Sequence, residues 1–302
     1  MRNHLMFSKL LALFVAAALP IGPALAASGR ISVRSDHVRR TALVVEFQRL
    51  KKMRRPTILV LHAGGGDSAH VRRVLGLDEV ARTAGMAIVY PDSIGRFWRG
   101  PRTRANRIDD VVFIKQLIAK LVNDGIADRR RVYLSGVGTG GVLAMRLACN
   151  DANLVAGVAA IGSRLPPKIA ATCRPGRPVP LLLIDDAQRR RASARAGKAS
   201  PLENTRASYL AQSSLAPFAK ADRCDASAPT RTFLPTRKVA DRSRVVLEKL
   251  NGCKALVEFI HPENVKAAGL RKITRRARAH PVWSRDIDLK GAVARFFERL
   301  AR

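Results

Sequence analysis

Short runs of apolar residues alternate along the chain with longer segments whose apolar residues recur at helical spacing. The runs are bounded by glycine, proline or charged residues, which is typical of buried strands, and they cover 57–63, 86–92, 131–136, 154–162, 179–185 and 255–260. The spacing predicts an amphipathic helix over 109–125 and a last helix over about 289–300. The alternation predicts an α/β fold with a mainly parallel sheet and helices on both faces.

Two segments lack such periodicity. Residues 187–201 are rich in arginine, alanine, serine and glycine, and 225–245 also reads as irregular. Strand-like runs resume after both, so neither is expected to link separate domains. We therefore predict one domain spanning 27–302.

The first 26 residues have the composition of a secretory signal. Lys9 precedes an apolar run, Leu10–Leu19, and an A-x-A site ends at Ala26. The alternative, a membrane anchor, is disfavoured because the run is too short to span a bilayer and Pro20 interrupts it. The expectation is a cleaved signal and a secreted or periplasmic protein.

The chain is strongly basic. It has 55 basic and 23 acidic residues, a formal net charge of +32. Such a charge favours anionic partners, among them cell-envelope polymers, nucleic acid and acidic lipid. Aromatic residues make up 5% and do not interleave with the basic runs at 189–198 and 271–280, so a dedicated nucleic-acid module is not expected.

The chain has four cysteines: Cys149, Cys173, Cys224 and Cys253. An even number in an exported chain indicates two disulfides, and spacing alone leaves three pairings open. The sequence has no C-x-x-C motif and no His/Cys cluster with metal-ligand spacing, so no metal site is expected.

The glycine loop around Gly136, Gly138 and Gly141 supports two interpretations. Its G-x-G-x-x-G spacing fits a dinucleotide-binding loop, but it lies mid-chain, and the next strand ends in Ser163-Arg164 without the usual acid. Arg164 would suit a 2′-phosphate, so NADP remains an alternative. The favoured interpretation is a strand-turn-helix nucleophile elbow, G-x-S-x-G, with glycine in place of serine, and no cofactor is then expected.

Six segments in order carry a resemblance to a known family: "RPTILVLHAGGG", "GMAIVYPDSIGRFW", "DDVVFIKQLI", "RVYLSGVGTGGVLAMRLAC", "RPVPLLLID" and "SRDIDLKGAVARFF". Together they resemble secreted esterases of the polyhydroxybutyrate depolymerase and feruloyl esterase type, over about residues 38–300. The resemblance implies an α/β-hydrolase fold and carboxylic ester hydrolysis. It also implies disulfides that join Cys149 to Cys173 and Cys224 to Cys253.

The resemblance further implies an oxyanion hole, which is formed by backbone N–H groups. These would come from the loop of Ala63, Gly64 and Gly65 and from Thr139, the residue after the nucleophile position. Trp98 matches an aromatic that lines the family's pocket, although an ordinary packing role fits it equally well. His62, at the end of its strand, is expected to be structural.

The chain departs from the family at the three catalytic positions. The serine position falls on Gly138, the aspartate position on Arg189 and the histidine position on Val265. None of these residues can perform the role of its counterpart. Nearby substitutes are few, and they are Thr139, Ser135, Asp185, Asp186, His261 and His280.

Three functions follow as alternatives. The first is a non-catalytic homologue whose former oxyanion hole, with Arg189 at its rim, binds an anionic or ester ligand. The second is an active secreted esterase with relocated catalytic groups. The third is a basic protein that binds the cell envelope through its surface.

Overall fold

The computed structural model describes residues 26–47, 54–100, 107–185, 214–235, 244–263 and 288–302. These residues are organised around one 10-stranded sheet. Its strands are β1 (Ala26–Ser35), β2 (Val38–Phe47), β3 (Arg55–Leu61), β4 (Ala87–Pro91), β5 (Ala127–Val137), β6 (Gly157–Ile161), β7 (Leu181–Ile184), β8 (Asp225–Leu234), β9 (Arg244–Asn251) and β10 (Val257–Glu263).

Helices connect most of the parallel strands. They are α1 (Ser68–Leu75), α2 (Asp78–Ala84), α3 (Asp110–Asn123), α4 (Thr139–Asn150), α5 (Pro167–Thr172), α6 (Ala216–Ala221) and α7 (Leu289–Ala301). The start of α3 is set by Asp109, whose side chain accepts a hydrogen bond from the amide of Val111 and so satisfies a helix-end donor. The end of α1 is set by Gly76, which adopts a left-handed conformation.

The strand order is β1-β2-β4-β3-β5-β6-β7-β10-β9-β8. The six central strands, from β4 to β10 in that order, are parallel, and β1, β2, β9 and β8 pair in antiparallel fashion at the two margins. Parallel strands require crossover connections, so both faces of the central sheet are covered.

Two apolar layers enclose the sheet. One includes Leu117 of α3 and Leu147 of α4. The other includes Leu75 of α1 and Phe296 of α7. The predicted mainly parallel sheet with helices on both faces is therefore confirmed.

The expectation that 225–245 is irregular is wrong, because it contains β8 and the start of β9. The strand β8 lies at a margin of the sheet and pairs only with β9. A marginal strand buries little of its surface, so its sequence lacks the continuous apolar run that marks a central strand. The same reason explains why the apolar pattern did not predict β1, a strand at the opposite margin.

Within the described ranges, no helix is both long and apolar enough to cross a membrane. The predicted signal lies almost entirely outside those ranges, as do the expected irregular segment at 187–201 and both long basic runs.

Candidate active site

The turn between β5 and α4 has the backbone of a nucleophile elbow. Gly138 lies at its apex with φ 55° and ψ −116°. This conformation is strained for any residue with a side chain, and catalytic serines of this fold occupy such a strained turn so that their hydroxyl stands exposed above the sheet. The elbow is therefore present, and its apex carries no side chain.

The glycines of the elbow differ in how much space surrounds them. A Cβ on Gly136 would lie 2.4 Å from the backbone of Gly140, and a Cβ on Gly140 would lie 2.4 Å from the carbonyl oxygen of Leu61. Both positions therefore exclude a side chain. A Cβ on Gly138 would meet nothing closer than the Cβ of Ala63, at 3.7 Å. The one position where catalysis needs a side chain thus has room for one.

Hydrogen bonds from the neighbouring strand hold this turn in place. The amide of Gly138 donates to the carbonyl oxygen of Ile161 at 2.9 Å. The hydroxyl oxygen of Ser163 lies 2.8 Å from the carbonyl oxygen of Gly138 and 2.9 Å from that of Ile161, and its single proton is shared between these two acceptors. The strained turn is therefore fixed by β6 and the residues that follow it, independently of any nucleophile.

The loop after β3 approaches the elbow closely. A Cβ on Gly64 would lie 3.4 Å from the Oγ1 of Thr139 and 3.3 Å from the ring of Phe97. Within the described part of the chain, no hydrogen bond is formed by the amides of Ala63, Gly64 or Thr139. These three amides define what we call the cradle.

Gly65 was also expected to supply an amide to this site. Its N–H instead donates to the carbonyl oxygen of Arg96 at 2.8 Å. Gly65 adopts a φ of 79°, which favours glycine, so its contribution is to shape the loop.

His62 is held as a structural residue. Its Nε2 accepts a hydrogen bond from the amide of Ser93 at 3.3 Å, which leaves the proton on Nδ1 to be donated to the carbonyl oxygen of Ala63 at 2.7 Å. The side chain is completely buried, and burial lowers the pKa of its imidazole, which keeps it neutral. Both ring nitrogens are used within the fold, so His62 is not available as a base.

Trp98 packs on this histidine. Its Nε1 donates to the carbonyl oxygen of His62 at 2.7 Å, and the two ring centroids are 4.6 Å apart. These contacts support a packing role for Trp98 and not the role of a pocket-lining aromatic. Its neighbour Phe97, which the sequence did not single out, is 59% exposed and lies beside Gly64.

Two candidate acid–base residues lie at the carboxyl ends of neighbouring strands. The parallel pairing of Ile184 with Ile260 places Asp185 and His261 next to each other in register. Asp185 is buried, and one oxygen lies 3.5 Å from a guanidinium nitrogen of Arg164. Arg164, the residue that would suit a 2′-phosphate, is thus already engaged with a carboxylate of this protein.

His261 contacts residues of β9 and β10. Its ring stacks on Phe259 with centroids 4.6 Å apart, and its Nε2 lies 3.5 Å from a carboxylate oxygen of Glu248. Ser135 is fully buried inside β5. The family positions Arg189 and Val265, and the candidates Asp186 and His280, lie outside the described residues.

Both expected disulfides are present. Cys149, at the end of α4, is bonded to Cys173, and Cys224 is bonded to Cys253. The pairing implied by the family resemblance is confirmed. The first bond ties the helix that starts at the elbow to the segment that follows α5.

The strand order, the two helical layers and the strained elbow define an α/β-hydrolase fold. Over 134 residues the chain is 35% identical to "Putative esterase NocK" of Nocardia uniformis subsp. tsuyamanensis, a match that covers 43% of this chain and 39% of that protein. The match therefore spans less than half of that relative. No family model matches the chain.

Similar solved structures are also esterases and related hydrolases. One is a ferulic acid esterase, with 15% identity, a TM-score of 0.43, and coverage of 58% of this chain and 88% of that one. Another is an S-formylglutathione hydrolase from Agrobacterium tumefaciens, with 14% identity, a TM-score of 0.45, and coverage of 53% and 75%.

Proposed function

We propose that this protein is a non-catalytic relative of carboxylic ester hydrolases that binds an anionic or ester ligand at the cradle. The observation that carries the proposal is Gly138, a glycine at the apex of an intact elbow. Hydrolysis through an acyl-enzyme needs a nucleophilic atom at that point, and glycine has none.

The cradle has the chemistry of an anion site. In an active enzyme of this fold, such amides stabilise the oxyanion that develops during ester cleavage. The positive end of the α4 dipole adds to their attraction for negative charge. With no side chain at Gly138, a carboxylate or an ester carbonyl has room to approach these amides.

Fluorophosphonate labelling tests whether the protein is inactive. We would label the natural protein, the Gly138→Ser variant and the Thr139→Val variant, and read each by intact mass. The expected result is no adduct on the natural protein. An adduct on the natural protein that Thr139→Val abolishes would overturn the proposal, because it would establish an esterase that uses Thr139.

Calorimetry tests whether the cradle binds a ligand, with acetate, citrate, phosphate and a short-chain ester as probes. The variant Gly64→Val fills the cradle, because even the first side-chain carbon at this position would lie only 3.3–3.4 Å from Phe97 and Thr139. The matched control is Gly176→Ala, because a Cβ there meets nothing within 4 Å. We expect binding that Gly64→Val abolishes and Gly176→Ala preserves. Arg189→Ala gives a second test, at the family's aspartate position. No binding by any probe would contradict the proposal.

We also propose that the protein is exported. The signal-like segment and the two disulfides support export, because disulfides persist in oxidising compartments. Amino-terminal sequencing of the protein recovered from the periplasm or medium of an expressing bacterium is expected to start at residue 27. Recovery only from the cytoplasm, with residue 1 retained, would contradict export.

A further inference from the structure

Six exposed basic residues lie at the ends of the parallel strands opposite the cradle. They precede or begin β3, β5, β7 and β10, or lie in the turn after α6. We call this set the basic edge, and it consists of Arg54, Arg129, Arg130, Arg174, Arg223 and Lys254.

The first part of the basic edge lies where β3 and β5 begin. The amide of Arg55 donates to the carbonyl oxygen of Ile126 at 3.2 Å, and Arg55 pairs with Ala127. The register then shifts, so that residues 128–131 have no partner in β3. Arg129 and Arg130 lie on this stretch, at the same edge of the sheet as Arg54.

The second part continues through the entries to β7 and β10. A guanidinium nitrogen of Arg177 donates to the carbonyl oxygen of Val155 at 2.7 Å, just before β6. Val179 donates its amide to the carboxylate of Asp222 at 3.2 Å, and Lys254 donates its amide to the carbonyl oxygen of Asp222 at 2.8 Å. Arg223 adjoins Asp222, so Arg223 and Lys254 both lie close to the segment that leads into β7.

Little negative charge offsets the basic edge. Asp128 is engaged by Arg131 at 2.8 Å, and Asp222 is buried. Considering all described residues, no carboxylate oxygen forms an ion pair with any member of the basic edge. Two nearby carboxylates, Asp128, which interacts with Arg130 as well as Arg131, and the exposed Asp225, therefore offset only part of the six positive charges.

We propose that the basic edge binds an acidic polysaccharide chain. From β3 to β10 the sheet order has four inter-strand steps, so the strand entries beside these residues extend over about 19 Å, a length that suits a linear polyanion. Arginine guanidinium groups bind carboxylates in bidentate fashion.

The basic edge has no large exposed apolar residue, which favours a polysaccharide over nucleic acid or lipid as its partner. The exposed large apolar residues of the described chain are Val38, Val74, Phe97 and Phe233, and none belongs to the basic edge. The edge therefore lacks the aromatic platforms that stack nucleic-acid bases and the apolar anchors that insert into lipid. Binding here would leave the cradle, at the other end of the strands, open to solvent.

The test measures the affinity of the full protein for polygalacturonate, with a single-stranded oligonucleotide and anionic phosphatidylglycerol vesicles as competing partners. The variant is Arg129→Ser/Arg130→Ser/Lys254→Ser. The matched control is Arg34→Ser/Arg39→Ser/Arg73→Ser, which removes three exposed charges away from the basic edge. Circular dichroism and thermal unfolding establish that both variants are folded.

We expect tightest binding to polygalacturonate, and weakening by at least about tenfold in the variant but not in the control. The slope of log affinity against log salt is expected to fall by about two units in the variant. Equal weakening in both variants would overturn the proposal, because net charge alone would then explain binding. Tighter binding to the oligonucleotide or the vesicles would overturn the choice of partner. The two proposals fail separately, because cradle binding is read with small ligands and Gly64→Val, whereas edge binding is read with polygalacturonate and the triple variant.

Discussion

The hydroxyl of Ser163 donates a hydrogen bond to the carbonyl oxygen of Gly138, with 2.8 Å between the two oxygens. This bond joins the segment after β6 to the apex of the elbow. It stabilises a strained turn that usually presents a nucleophile in this fold. Here the apex is Gly138, which carries no nucleophile. The elbow therefore persists as part of the packing of the fold.

Replacing Ser163 with alanine tests that view. The carbonyl oxygens of Gly138 and Ile161 each accept another hydrogen bond from a backbone amide, so neither is left unsatisfied. We expect Ser163→Ala to lower the free energy of unfolding by about 1 kcal/mol, measured by urea denaturation. Thr83→Ala, which removes an exposed hydroxyl, serves as control and is expected to change it by less than about 0.5 kcal/mol. Equal effects of the two variants would contradict a role for the Ser163 bond.

The elbow glycines should differ in their tolerance of a methyl group. Gly140→Ala forces a Cβ against the carbonyl oxygen of Leu61, so we expect a loss of more than about 3 kcal/mol or failure to fold. Gly138→Ala places a Cβ in ordinary contact with that of Ala63, at 3.7 Å, and is opposed mainly by its positive φ, so we expect a loss of about 1–2 kcal/mol. Unfolding free energies of both variants, beside Gly176→Ala, check this order. A larger loss for Gly138→Ala would contradict the presence of room at the apex.

Asp222 gives the stability of the protein a pH dependence. Burial raises the pKa of its carboxyl to about 6, even though the amide of Val179 and the charge of Arg177 act in the opposite direction. Because the folded-state pKa is raised, this group stabilises the fold below its unfolded pKa, and that stabilisation is lost as the pH rises through about 6.

The variant Asp222→Asn keeps an oxygen for Val179 and removes the titration. We expect it to flatten the profile of unfolding free energy between about pH 4 and pH 7, with the largest difference from the natural protein near neutral pH. Asp225→Asn provides an exposed carboxylate as control. Parallel profiles for the natural protein and Asp222→Asn would contradict this assignment.

Arg40 and Asp110 form a buried ion pair. Their side-chain atoms are 2.6 Å apart, each side chain is 1% exposed, and the guanidinium lies 3.9 Å from the ring centre of Phe113. We expect Arg40→Met to lower the free energy of unfolding by about 3–5 kcal/mol, because it leaves a buried carboxylate without its cation. Denaturation of Arg40→Met/Asp110→Asn is expected to show a smaller loss than the sum of the single variants.

An exposed ion pair is the control for that experiment. Arg82→Ala breaks the exposed pair with Glu79 on α2 and is expected to leave the free energy of unfolding nearly unchanged, because water screens this pair. Additive losses for the double variant at positions 40 and 110 would show that the two charges do not interact.

The apolar pattern predicted the central strands because each is buried on both faces and must be continuously apolar. It did not predict β1, and it missed β8, because marginal strands bury little and carry polar and basic residues. The glycines of the elbow were identified from their spacing, and the loop of Gly64 and Gly65 was identified from the family resemblance. The spacing could not tell that the amide of Gly65 is already engaged, since its acceptor, Arg96, lies 31 residues further along the chain.

The sequence by itself determined the α/β class, the position of the elbow and the absence of a nucleophile at Gly138, because these depend on local composition and periodicity. The disulfide pairing was implied by family resemblance, and the fold confirms it. Only the tertiary structure decided that Gly138 has room for a side chain and that Asp185 and His261 adjoin. It alone assembled the basic edge, because contacts between distant segments depend on how strands pair, and local sequence does not specify that pairing.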